Sequence, residues 1–181
     1  MIKLQTPLTE ENIINLRAGD IVSISGIIYT GRDAAHKKMI ELLNNNQKLP
    51  FDTDKAIIYY TGPTPKPPKR IIGSCGPTSS YRMDVYSTPL MKQGLRVMIG
   101  KGPRSEAHIK DLIKYKGVYL QAVGGAGALI SETVKKMEIV AFPELGPEAI
   151  YKLEVENFIV TVTYDTIGND LLTASIKKYK K

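Results

Sequence analysis

Apolar positions in this chain recur at two spacings, and the switch between them marks out alternating strands and helices. Ile21-Val22-Ser23-Ile24-Ser25, Ala56-Ile57-Ile58-Tyr59-Tyr60, Arg96-Val97-Met98-Ile99 and Val118-Tyr119-Leu120-Gln121-Ala122 are short apolar runs that read as strands, the more continuous ones as buried strands. Between them lie helical patterns. Asp33 is placed to cap a helix carrying Ala35, Met39, Leu42 and Leu43 at i, i+4, i+7 and i+8, which stops in Asn44-Asn45-Asn46. Ser105, followed by Glu106, opens a second helix with Ile109, Leu112 and Ile113 on one face. A third is predicted from Arg82 to Gln93, with Pro89 marking a kink or a later start.

The remaining segments fit the same alternation. A short strand near Lys3-Leu4-Gln5 precedes a brief helix capped by Thr9, with Glu10 and Glu11 in its first turn. Gly26 breaks or bends the strand that resumes at Ile27-Ile28-Tyr29-Thr30. Pro65, Pro67 and Pro68 force an extended loop after Gly62-Pro63-Thr64, and Gly124-Gly125-Ala126-Gly127-Ala128 turns into a short helix. Met137–Ala141 and Phe158–Thr163 extend the sheet, and Asp165–Asp170 reads as a hairpin-like turn before a last strand at Leu171-Leu172. Hairpin-like and crossover connections together predict an α/β domain over residues 1–181 whose sheets are not purely parallel.

Composition narrows the function. An apolar share of 43% with 24% charged residues is ordinary for a globular domain, and no run approaches the length of a membrane span. The N-terminus lacks the apolar core of a signal peptide, so a cytoplasmic location with no membrane partner is expected. Cys75 is the single cysteine, which excludes an internal disulfide and falls short of a zinc or iron–sulfur ligand set. Its expected role is that of a small buried hydrophobe. The net charge of +7 admits nucleic acid, an acidic subunit or an anionic small molecule. Much of the excess sits at the C-terminus, where 177–181 is expected to be a solvated basic tail, and the tyrosines are dispersed, so nucleic acid is not expected as a partner.

The candidate chemistry lies in Gly76-Pro77-Thr78-Ser79-Ser80-Tyr81-Arg82-Met83-Asp84, echoed at Gly62-Pro63-Thr64 and followed by Gly100-Lys101-Gly102. Glycine lets backbone approach a ligand, three successive hydroxyls offer hydrogen bonds, and an arginine fork suits a carboxylate or phosphate. Arg32, Thr78, Arg82 and Lys101 all follow loop signals at strand-to-loop transitions. If the loops converge, two guanidiniums can grip a small dicarboxylate, Lys101 adds a point charge, and Thr78 faces the carbon between. Each has a plainer reading: the arginines as partners of Asp33 or Asp84, Lys101 as a solvated lysine, Thr78 as a helix cap. His36 is either a core or surface helix histidine or a phosphoryl carrier, the latter making the domain a phosphohistidine shuttle. The Gly124–Gly127 run lacks the Lys-Ser/Thr of a phosphate-binding loop and is read as structural.

Tyr29-Thr30-Gly31-Arg32-Asp33-Ala34-Ala35-His36, Gly62-Pro63-Thr64, Gly76-Pro77-Thr78 through Arg82-Met83-Asp84, Met98-Ile99-Gly100-Lys101-Gly102, Tyr119 through Ala128 and Glu148 through Val155 resemble, in this order, the β subunit of class I fumarate hydratase and of its relative L-tartrate dehydratase. The resemblance implies a swivelling β/β/α domain with mixed sheets. It further implies an α-subunit partner that carries a 4Fe-4S cluster, a hetero-oligomer, and a hydro-lyase reaction on a small dicarboxylate, fumarate or alternatively tartrate. By position it implies Arg32, Arg82 and Lys101 as carboxylate binders and Thr78 as the proton-transfer group or, where a residue of the α subunit does the proton chemistry, as a group that only orients substrate, with His36, Ser79 and Asp84 in supporting roles. The family usually has a threonine where Ser79 stands and a glycine where Tyr81 stands. The first exchange keeps the hydroxyl, and the second sets a bulky ring beside Arg82.

Overall fold

A computed structural model describes residues 1–180. Its strands are β1 (Ile2–Gln5), β2 (Ile21–Thr30), β3 (Ile57–Tyr59), β4 (Val97–Gly100), β5 (Val118–Gln121), β6 (Val134–Ala141) and β7 (Ile150–Tyr164). Neighbours from β1 to β5 run parallel in chain order, and β7 runs antiparallel to β2, β5 and β6. Because β7 pairs with β5 near its C-terminal end and with β2 along most of its length, β2, β3, β4, β5 and β7 close into a ring, with β1 and β6 flanking it. The fold is α/β with a mixed sheet.

Closure explains the continuous apolar runs. Ile57 and Tyr59, Val97 and Ile99, and Val118 and Leu120 join β2 and β7 residues such as Ile24, Ile28, Val160 and Val162 in one buried core. That core draws on every strand of the ring, as the interior of a closed sheet must. The intervening Ile58, Met98 and Tyr119 face outward into a second core. There they meet Ala35 and Met39 of α2 (Asp33–Asn44), Leu90 and Met91 of α3 (Asp84–Lys92) and Leu112 of α4 (Glu106–Lys114). Both faces of these strands are therefore covered, as the near absence of polar residues demanded.

Local signals acted largely as read. Thr9 forms a capping box on α1 (Glu10–Ile14), and Ser105 accepts a hydrogen bond from His108 N at the start of α4. Gly26, at φ +107°, sits at a bulge that bends β2 without ending it. Gly124 and its neighbours lead into α5 (Gly127–Thr133). Pro89 lies inside α3, which starts at Asp84 after a turn of 3-10 helix at Tyr81–Met83.

Three expectations are corrected. The helix cap of α2 is Arg32, whose side chain makes no capping bond, and Asp33 is the first helical residue with its carboxylate turned elsewhere. The expected last strand at Leu171-Leu172 is the first turn of α6 (Leu171–Tyr179). Asp170 caps it by accepting from Thr173 N at 3.1 Å, and the extended pattern survives only as a single bridge to Tyr164. The basic segment is consequently not all tail. Lys177 and Lys178 occupy the last turn of α6, where cations complement the helix dipole, while Lys181 lies outside the described residues. Among the described residues no helix is long and apolar enough to cross a membrane.

Candidate functional site

Parallel strands deliver their C-terminal ends to one side of a sheet, and four loops emerge together here. They begin at Gly31 after β2, Tyr60 after β3, Lys101 after β4 and Ala122 after β5. The segment from Gly76 to Asp84 is stitched across them. Thr61 Oγ1 donates to the Gly76 carbonyl at 2.8 Å, so the two Gly-Pro-Thr loops lie side by side. Thr78 donates to the Tyr60 carbonyl twice, from its backbone N at 2.8 Å and from Oγ1 at 2.9 Å. Ser79 forms a bridge with Lys101, Ser80 N donates to the Lys101 carbonyl at 3.0 Å, and Lys101 N donates to Ser80 Oγ at 3.1 Å. Gly100 is what allows this approach: a Cβ there would fall on the Ser80 hydroxyl and within 3.0 Å of the Tyr119 hydroxyl.

The cations line this wall. Lys101 runs past Gly124, where an added Cβ would sit 3.9 Å from its Nζ. Arg32 lies over Gly62, a Cβ at which would come within 3.2 Å of Nη1. Arg32 Nη2 pairs with Glu148 Oε1 at 3.3 Å, and Glu148 Oε2 accepts from Ala34 N at 3.0 Å, so Glu148 serves the N-terminal turn of α2 that Arg32 cannot cap. Arg82 Nε meets Asp33 Oδ1 at 2.8 Å and Oδ2 at 3.1 Å, and Arg32 Nε stands 3.9 Å from the same carboxylate. The plainer reading of the arginines as partners of Asp33 thus holds alongside their gathering in one place. The wall is open: Ser79, Tyr81 and Arg82 are exposed on one side, and Val123, Gly124 and Gly125 on the other. Tyr81 is 63% exposed and takes no part in the core.

Asp84 does not face this surface as a free carboxylate. It accepts from Arg104 Nε at 2.5 Å and from Ser105 N at 2.8 Å, which ties the start of α3 to the start of α4. The Arg104 side chain is fully buried, with Cζ 5.4 Å from the Tyr60 ring centre and 4.8 Å from that of Tyr119. Its Nη2 donates to Ser87 Oγ at 3.0 Å. Such a cation is held by an ion pair, hydrogen bonds and ring faces together. Arg104 was missed in the sequence reading. The signal available was an arginine directly after the Gly100-Lys101-Gly102-Pro103 loop and beside a helix cap.

His36 is a core residue. Its ring is fully buried, Nδ1 lies 2.9 Å from the Arg32 carbonyl and donates to it, and the ring meets Tyr60 edge-on at 5.5 Å between centres. Burial pushes its pKa down to about 4, so the ring is neutral near pH 7. This corrects the phosphoryl-carrier alternative, because neither ring nitrogen is presented to solvent. Burial likewise pushes the Cys75 thiol up to about 12, which matches the role of a small hydrophobe and leaves no thiolate near neutral pH. Among the described residues no group of three or more His, Cys, Asp and Glu side chains is placed to hold a metal ion.

A family model described as fumarase C-terminus matches residues 1–175. The chain belongs to the fumarase C-terminus family. Within it, a protein of Methanocaldococcus jannaschii named "Putative L(+)-tartrate dehydratase subunit beta" is 42% identical over 181 residues, covering 96% of this chain and 93% of that protein. The aerobic class I fumarate hydratase of Escherichia coli K12 is 41% identical over 151 residues, covering 82% of this chain and 28% of the enzyme. Fumarate hydratase 2 of Leishmania major is 33% identical over 179 residues, covering 97% of this chain and 32% of that enzyme. The chain therefore spans nearly all of the first relative and about a third of the two fumarate hydratases. Of the motifs that carried the family resemblance, those holding Arg32, Gly62, Thr78 to Arg82, Lys101, Gly124 and Glu148 meet at this wall, while 119–121 and 150–155 are strand segments of the sheet.

Proposed function

We propose that this chain is the β subunit of a hydro-lyase that adds water to fumarate, or removes it from malate, at a site shared with an α subunit. The observation that carries the reading is the gathering of Arg32, Arg82, Lys101 and Thr78 at the C-terminal ends of parallel strands in a fumarase C-terminus chain. Arg32, Arg82 and Lys101 outnumber the Asp33 and Glu148 carboxylates paired with the arginines, and the positive excess on an open wall suits an anionic substrate. Arg32 and Arg82 grip a carboxylate, Lys101 adds charge beside Gly124, and the loop amides fix their spacing.

Thr78 orients. Its hydroxyl proton is committed to the Tyr60 carbonyl, an acceptor that cannot take it up as a base, so Oγ1 is left to accept a hydrogen bond from the hydroxyl of a hydroxy-acid such as malate without becoming an alkoxide. The chemistry that removes the proton at carbon belongs in this reading to the partner. So does the 4Fe-4S cluster that the resemblance implies, because a single buried neutral thiol does not fit as its anchor. When bound, such a cluster supplies a Lewis acid for hydroxyl and carboxylate oxygens. The subunit division is supported by the Methanocaldococcus relative, named as a subunit β, whose length this chain nearly fills.

L-tartrate is the second reading, favoured by that relative's name and 42% identity. Assays of the anaerobically reconstituted complex on fumarate, malate and L-tartrate separate the two. In the same complex, Arg82→Ala should lower kcat/KM by roughly 10- to 100-fold through loss of a charged hydrogen-bonding partner, with assembly retained. Unchanged kinetics would remove Arg82 from the site.

A further inference from the structure

We infer that Asp33 is a positioning residue that aims Arg82 at the ligand and sets its spacing from Arg32; this rests on the carboxylate-binding role proposed for the arginines. Asp33 stands at the start of α2, where an aspartate ordinarily serves the helix terminus, yet Arg32 occupies the cap and the carboxylate of Glu148 takes the Ala34 N–H. The Asp33 carboxylate is turned instead to Arg82, from an element 49 residues away in sequence.

The contact is one-sided in a useful way. Both oxygens of Asp33 engage Arg82 through Nε, at 2.8 and 3.1 Å, and Nε is the nitrogen nearest the aliphatic stem. Holding a guanidinium there fixes the direction of its plane while leaving the two terminal nitrogens to a ligand's carboxylate fork. The same carboxylate lies 3.9 Å from Arg32 Nε, so one anion stands between two cations that would otherwise repel. Glu148, on the far side of Arg32, completes an alternating row of Glu148, Arg32, Asp33 and Arg82.

Stability does not account for the arrangement. The side chains of Arg82 and Asp33 are 46% and 36% exposed, and pairs in such settings contribute little to folding. What the pair does fix is the orientation of an arginine that sits on a single 3-10 turn, Tyr81–Met83, with its side chain reaching into solvent. A free arginine there would have to give up several rotamers each time it gripped a carboxylate.

Two readouts test this. In the active complex, Asp33→Ala should raise KM for the dicarboxylate about tenfold or more with kcat within about threefold, the pattern of lost uniform binding, and Asp33→Asn should fall between it and wild type. The sign is decisive. A bystander carboxylate removed from a cationic wall makes it more attractive to a dianion, so KM would stay or fall, and that result overturns the inference. The melting temperature should move by no more than about 4 °C, because an exposed pair and one helix-dipole charge are all that is lost.

The second readout needs no catalysis. In the full ¹⁵N-labelled chain, the Arg82 Nε–H resonance, assigned by its loss in Arg82→Lys, should exchange with water slowly in wild type and markedly faster in Asp33→Ala. Equal exchange in the two proteins overturns the inference. An inactive wild-type complex would instead sink the hydro-lyase reading and leave this arm to decide the role of Asp33.

Discussion

A neutral histidine sealed in a core ties folding to pH. His36 and His108 are both buried, on α2 and α4, and burial pushes their pKa values down to about 4 and about 2. In the unfolded chain each returns to the ordinary histidine value near 6.5. A folded-state pKa below the unfolded one contributes stability that is fully present above about pH 6.5 and is lost as pH falls through the folded value. Unfolding free energy should therefore drop by about 2 kcal/mol per histidine between pH 7 and pH 5. Denaturant titrations at the two pH values check this, and His36→Gln should remove about half of the drop. The same burial explains why the sequence left His36 open between core and phosphoryl carrier. A histidine three residues into a helix looks alike in both cases. Only the packing of Tyr60 and the Arg32 carbonyl around the ring separates them.

Elements are held in register here by a few polar joints under the loops. The Arg104–Asp84 pair joins the entry of α4 to that of α3, and Ser80 joins the end of β4 to the Gly76–Asp84 segment. Asp84→Ala would leave the Arg104 guanidinium buried without its anion. Denaturation should show a loss of about 3–5 kcal/mol, and a change below about 1 kcal/mol would mean that the ring faces of Tyr60 and Tyr119 suffice. Strand and helix existence was legible because the local codes are strong: continuous apolar runs for β3 to β5, and serine and threonine caps for α1 and α4. Where two codes compete, reading failed. Asp33 has the chemistry of a cap and is used as an ion-pair partner, and Asp170-Leu171-Leu172 has apolar residues fit for a strand but is captured as a helix start by the Asp170 cap. Asp84 was placed near the site but not with Arg104, because their pairing crosses between two helices and has no local signature.

At the scale of the whole molecule, the closed ring turns scattered loop motifs into one wall. A mixed sheet followed from the connections in the sequence. Closure did not, because it depends on β7 pairing with both β5 and β2, a register that no single strand's pattern encodes. The two Gly-Pro-Thr sequences echo each other but lie in one long connection after β3, which the hydrogen bond from Thr61 to Gly76 folds back on itself so that they sit side by side. The open cationic wall and the single neutral thiol together motivate the central claim, that this chain supplies the carboxylate grip of a hydro-lyase site completed by a cluster-bearing partner. Its most direct test is an anaerobic titration of the purified partner with this chain, followed by fumarate or L-tartrate turnover. The account predicts no turnover from either protein alone and activity that rises with added chain to a plateau at a fixed stoichiometry. Full activity of the partner by itself, unchanged on adding this chain, would contradict it.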